Sequence, residues 1–110
     1  MKIAIPTAGG VLCPHFGHCE KFAIVEVVDG TIAGINWIVP PPHEPGSLPK
    51  FLKENGADMI ISGGMGWRAQ QFFREFGVDV ITGAPSLEPG EVVNHYLAGI
   101  LVSGENLCDH

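Results

Sequence analysis

Apolar and polar positions along this chain follow two different periods. Ile3-Ala4-Ile5-Pro6-Thr7 is a short, nearly continuous apolar run stopped by Ala8-Gly9-Gly10, the pattern of a buried strand ended by a turn. Lys21 to Val28 and Thr31 to Val39 are rich in β-branched and aromatic residues and are separated by Asp29-Gly30. That dipeptide suits a type I′ turn because both residues tolerate positive φ, so the two runs are expected to form an antiparallel hairpin. Pro40-Pro41-Pro42-His43-Glu44-Pro45-Gly46 can neither continue a sheet nor start a helix early, and reads as a stiff connection.

Beyond the prolines, helical and strand patterns alternate. Ser47 can cap a helix with Leu48, Phe51 and Leu52 on one face, and Asn55-Gly56 closes it. Asp58 to Ser62 is a buried strand, Gly63 to Gly66 a glycine turn, and Trp67 to Phe76 a helix. In that helix Ala69, Phe72, Phe73 and Phe76 fall at i, i+3, i+4 and i+7, and Gly77 sits where a C-cap belongs. Val78 to Thr82 is the next strand and Gly83 to Gly90 a loop, after which Val93, Tyr96, Leu97 and Ile100 repeat with helical spacing. The order β-β-β-α-β-α-β-α predicts a mixed sheet covered by helices, its first strand parallel to its last two. In such a sheet ligands bind beyond the carboxyl ends of the parallel strands. There the segments Ala8 to Glu20, Gly63 to Trp67 and Gly83 to Glu88 should meet.

The 110 residues suffice for one domain, 1–110, with its own core. At 45% hydrophobic and 16% charged, the composition is that of a folded protein. Six basic against twelve acidic residues give a formal charge of -6, which removes the cationic field a nucleic-acid partner requires. The opening apolar run is too short for a signal peptide and no stretch is long enough to cross a bilayer, so no membrane association and a cytoplasmic location are expected. In that reducing compartment an odd count of three cysteines favours thiolate chemistry or metal ligation over disulfides.

All three cysteines and three of the five histidines fall in two short segments, Cys13-Pro14-His15-Phe16-Gly17-His18-Cys19 and Cys108-Asp109-His110. Thiolates and imidazoles select zinc, copper, iron-sulfur clusters and related species, whereas Mg²⁺ or Ca²⁺ would need carboxylates. An extended backbone points Cys13 and His15 to one side; a helical turn puts His15, His18 and Cys19 on one face. Neither arrangement is a closed structural zinc signature, because Cys108 and His110 must be brought in by folding. Core packing competes for Cys13 and Cys19, since free cysteine is among the most buried residue types. Residues 103–110, which carry Cys108 and His110, read as a flexible tail.

Gly63-Gly64-Met65-Gly66-Trp67-Arg68 follows a strand and opens a helix, so its backbone N–H groups and the helix's positive end suit an anion. It lacks the Gly-Lys-Ser/Thr of a Walker A loop, and Arg68 replaces the third glycine of a dinucleotide fingerprint. Arg68 either pairs with an anion or is a solvated helix-start residue. Met65 and Trp67 are candidates for an apolar lid, with Trp67 expected rather in the core, as are Phe72, Phe73 and Phe76. His43 and His95, without neighbouring ligands, read as structural or solvated.

The opening Met1-Lys2-Ile3-Ala4-Ile5-Pro6, the segment His15-Phe16-Gly17-His18-Cys19-Glu20-Lys21-Phe22, Gly63-Gly64-Met65-Gly66 with Arg68-Ala69, and Gly77-Val78-Asp79-Val80 span most of the chain. In order and spacing they resemble the dinitrogenase iron-molybdenum cofactor family, which includes NifX and NafY type accessory domains and the molybdenum-copper orange proteins. The resemblance implies a three-layer ribonuclease H-like α/β fold with a five-stranded mixed sheet flanked by helices. It implies binding of an anionic iron-sulfur, iron-molybdenum or molybdenum-copper cluster at the loops described above. Many relatives lack thiols matching Cys13 and Cys108, and those that carry them look like companions of ParA/Mrp-type iron-sulfur ATPases.

The leading expectation is therefore a non-catalytic cluster carrier in which the glycine-turn amides, Arg68 and protonated histidines offset cluster charge. The alternative is a small zinc- or redox-responsive regulatory module. A Cys/His enzyme, built on Cys19 with His18 or Cys13 with His15, lacks a third orienting group. A nuclease would need several inward carboxylates, and Ile3 to Thr7 has none.

Overall fold

The computed structural model describes residues 1–40 and 47–101. Its strands are β1 (Lys2–Ala8), β2 (Val11–Leu12), β3 (Lys21–Val28), β4 (Thr31–Ile38), β5 (Met59–Ile61) and β6 (Asp79–Ile81). The helices are α1 (Ser47–Glu54), α2 (Trp67–Glu75) and α3 (Pro89–Leu97). The sheet runs β4-β3-β1-β5-β6, with β2 folded back onto the end of β1. β3 is antiparallel to β1 and β4, while β1, β5 and β6 are mutually parallel, as the element order predicts. The fold is thus an α/β mixed sheet with three helices.

Turn chemistry sets the connections. Asp29 and Gly30 adopt φ of 52° and 75°, the two positive values a type I′ turn needs, and Val28 pairs with Thr31 across them. Gly9 and Gly10, also at positive φ, reverse the chain from β1 into β2, a strand pair too short to have a sequence signal. Gly77 stands at φ 74° just past the C-cap residue Phe76 of α2, where the sequence places a helix stop.

Strand alternation divides the core in two. Ala4, Phe22, Ile24 and Ile60 face the side covered by α1 and α2, and pack with Leu48, Leu52 and Phe73. Ile3, Ile5, Ala23, Val25, Met59 and Ile61 face the other side, against Val92 and Val93 of α3. Helices on both faces make three layers. Two sequence expectations give way. Trp67, expected in the core, is 54% exposed at the first position of α2, where it points off the helix's apolar stripe, and it is Met65 that is buried. Ile100 shares the helical spacing of Val93 and Leu97, yet α3 stops at Leu97 and Gly99 turns the chain at φ 73°, leaving Ile100 62% exposed. Among the described residues no helix is long and apolar enough to cross a membrane.

Candidate functional site

The segment between β2 and β3 is held from all sides by backbone hydrogen bonds. Leu12 N–H donates to Leu87 O (2.9 Å), Cys13 N–H to Pro6 O (2.8 Å) and Glu20 N–H to Thr7 O (2.7 Å). Phe16 N–H donates to Gly64 O at 2.8 Å, Gly64 N–H donates to Pro14 O, and His15 and Gly64 form an isolated parallel bridge. Gly83 N–H in turn donates to Gly63 O at 2.8 Å. The three segments expected to gather beyond the strand ends therefore do so.

The contact explains the glycine at position 63. A Cβ there would stand 2.6 Å from Pro14 O and 2.9 Å from Cys13 O, closer than real Cβ atoms come to backbone. Gly63 serves the approach of the Cys/His loop. The glycine turn was expected to offer its amides to an anion, but the Gly64 N–H is spent on Pro14 O, and Gly63, Gly64 and Gly66 all lie outside the positive-φ region. Met65 is 1% exposed in the core, its carbonyl accepting from Gln70 Nε2 at 2.9 Å, so it forms no lid. Gly66 is the N-cap residue of α2 without a side-chain cap, and Arg68 is exposed in that helix's first turn.

A 3₁₀ turn at Phe16–His18 organises the loop. Phe16 is buried, edge-on to Phe73 with ring centroids 5.6 Å apart, and anchors the turn in the core. Positions three apart eclipse in 3₁₀ geometry, so His15 and His18 stand on one side with ring centroids 5.7 Å apart; His18 is exposed and His15 half-buried. Cys13 and Cys19 are instead buried in the core layer under α1 and α2, both as free thiols. The Cys13 thiol donates to His15 O at 3.1 Å. The Cys19 thiol is pushed up from an ordinary 9.0 to about 11, first by desolvation and then by electrostatic repulsion from Cys13, with a backbone N–H pulling the other way.

Of the six predicted donors, the four in this loop thus form a more exposed imidazole pair and a buried thiol pair. Among the described residues no group of three or more His, Cys, Asp and Glu side chains is arranged to hold one metal ion. Cys108, His110 and His43 lie outside the described residues. Three features had no sequence signal. The Ser62 hydroxyl, directly before Gly63, is fully buried with no hydrogen-bond partner among the described residues. Glu20 accepts from Gly9 N–H at 2.9 Å. Beside it a cleft of about 470 Å³ is lined by Thr7, Gly9, Gly10, Glu20, Lys21 and Trp37.

The mixed α/β sheet thus carries a Cys/His loop sewn to a glycine turn at the carboxyl ends of β1 and β5. Residues 1–99 match the model of the family described as dinitrogenase iron-molybdenum cofactor, and the chain belongs to that family. It is 36% identical over 106 residues to the uncharacterized protein MJ0580 of Methanocaldococcus jannaschii, a match covering 92% of this chain and 89% of that protein. The crystal structure of PH0822 superposes with a TM-score of 0.88 at 28% identity, covering 96% of each chain. The apo orange protein of Desulfovibrio gigas shares the fold, with a TM-score of 0.76 at 20% identity over 96% of this chain and 93% of that one.

Proposed function

We propose that this protein binds an anionic metal-sulfur cluster, of iron-sulfur, iron-molybdenum or molybdenum-copper type, as cargo and passes it on without turnover. The observation that carries this reading is the clamped loop, which holds two thiols and two imidazoles between Cys13 and Cys19 while Phe16 and the Gly63–Gly64 contacts fix its backbone. Family membership supports it. His15 and His18 are the accessible donors and would meet a cluster first; Cys13 and Cys19 would complete ligation once the loop loosens and their protons leave. The orphan Ser62 hydroxyl fits a site completed by cargo, since a buried hydroxyl without a partner is costly and a sulfide or thiolate is an acceptor. Arg68 would offset cluster charge, and Cys108 and His110 are proposed as further ligands.

We also assign the sheet to the ribonuclease H-like arrangement, supported by its strand order and its helices on both faces. A cytoplasmic location and exchange with a ParA/Mrp-type iron-sulfur ATPase belong to the same proposal. One observation favours a second reading, a zinc- or redox-responsive module: the two thiols are close enough for one to raise the other's pKa.

Metal analysis of protein purified anaerobically from its native host separates the two. Iron, molybdenum or copper with sulfide is expected for the carrier, and stoichiometric zinc would replace it with the regulatory module. Reconstitution should also give a visible charge-transfer band. If Cys13→Ser with Cys19→Ser leaves both band and stoichiometry unchanged, the loop is not the site.

A further inference from the structure

The strand at one margin of the sheet is covered least. β4 pairs only with β3 among the described strands, and almost every residue from Thr31 to Trp37 is exposed. α3 reaches β4 only in part: Ile35 remains 39% exposed and Trp37 48%, although both share the α3 face with the buried Val25 and Ala23 they pair with. Edge strands usually carry charges or prolines that discourage pairing. From Thr31 to Pro42 this sequence has no charged residue, in a chain of net charge -6. Within β4 the protective device is the extra residue Ala33, where the register slips between Glu26–Gly34 and Val27–Ile32, and the prolines of that stretch, Pro40 to Pro42, follow the strand. Beyond that bulge, Gly34 to Ile38 continue in regular register.

We infer that the Gly34–Ile38 edge is a self-association surface and that its occupant is a second copy of this chain, paired antiparallel about a twofold axis at Asn36. Opposed residues in an antiparallel pair share a face, so this register sets Trp37 of each copy against Ile35 of the other on the α3 side. On the opposite side Ile38 meets Gly34, a large residue against a small one. The charge distribution argues for a copy as partner: two molecules of charge -6 repel least along a seam without charges, and the antiparallel arrangement keeps the two Asp29 turns at opposite ends. The two sheets would become one continuous sheet. Because Lys21 pairs with Thr7 and begins β3 where β4 ends, the two Cys/His loops would lie away from the axis, at opposite ends of the seam, and act independently.

Light scattering after gel filtration, from micromolar to near-millimolar loading, reads the mass directly. The expected result is a shift from one chain to two, accompanied in a Trp67→Phe background by a concentration-dependent blue shift of Trp37 emission. Asn36→Lys, which opposes two like charges on the axis, and Trp37→Lys should both hold the protein at one chain while staying folded, without the rise in melting temperature with concentration that the dimerising parent shows, and Trp37→Phe should still dimerise. A single-chain mass throughout the range overturns the inference. So does a dimer that survives both lysine substitutions, and so does concentration-independent protection from hydrogen exchange of the β4 amides that face away from β3, since another occupant would then cover the edge.

Discussion

Cys19 shows how burial and ligand chemistry pull one side chain in opposite directions. Its thiol rises to about 11 chiefly because the charged form is desolvated, so at neutral pH it is a protonated core residue. A group whose folded pKa lies above its ordinary 9.0 adds stability that is complete below that value and is lost as pH climbs through about 11. Urea midpoints should accordingly fall across that window, and Cys19→Ala should flatten the fall. Cys13→Ser should lower the Cys19 value without restoring 9.0, because desolvation is the larger cause, and thiolate ultraviolet absorbance reads both variants. An unchanged alkaline profile in Cys19→Ala would show that some other group titrates there. The same proton must leave before the sulfur can ligate a metal, so uptake should strengthen with pH up to the thiol's own titration.

Among the elements, those governed by local chemistry were legible in the sequence and those governed by contact between distant segments were not. Asp29-Gly30 announced the hairpin and Gly77 the end of α2, because a positive φ restricts the choice of residue locally. The β1–β2 reversal was missed because two residues carry no period, and Ile100 was misplaced because period alone cannot see the Gly99 turn. The three loops that the sequence expected to gather do meet, but the sequence read the glycines as facing a ligand and not as facing another loop. Only the fold shows that position 63 faces Pro14 and Cys13, residues fifty positions away in the chain. Gly63→Ala should therefore cost about 1–3 kcal/mol through overpacking, whether or not a cluster is bound. Gly17→Ala, with open space around its Cβ, should stay within about 0.5 kcal/mol of the parent. Equal melting temperatures for the two variants would remove the clamp from the account of the loop.

At the scale of the whole molecule, the sheet with helices on both faces is a scaffold that elsewhere supports several chemistries, so the site must decide among them. Phosphoryl hydrolysis assisted by two cations needs carboxylates converging at the strand ends. β1 contributes none between Lys2 and Ala8, and Glu20, the acidic residue at the end of the loop, already accepts the Gly9 amide. Nucleic acid also needs a basic surface, because release of counterions from phosphates drives its binding, and six basic residues against twelve acidic ones reverse that field. The protein should therefore leave RNA and DNA intact in the presence of Mg²⁺ or Mn²⁺, and filter binding at physiological salt should retain neither. Lowering the salt should not rescue retention, since weaker screening exposes the repulsion instead of relieving it. Reproducible cleavage that one point substitution abolishes would refute this, as would retention that strengthens steeply as salt is reduced.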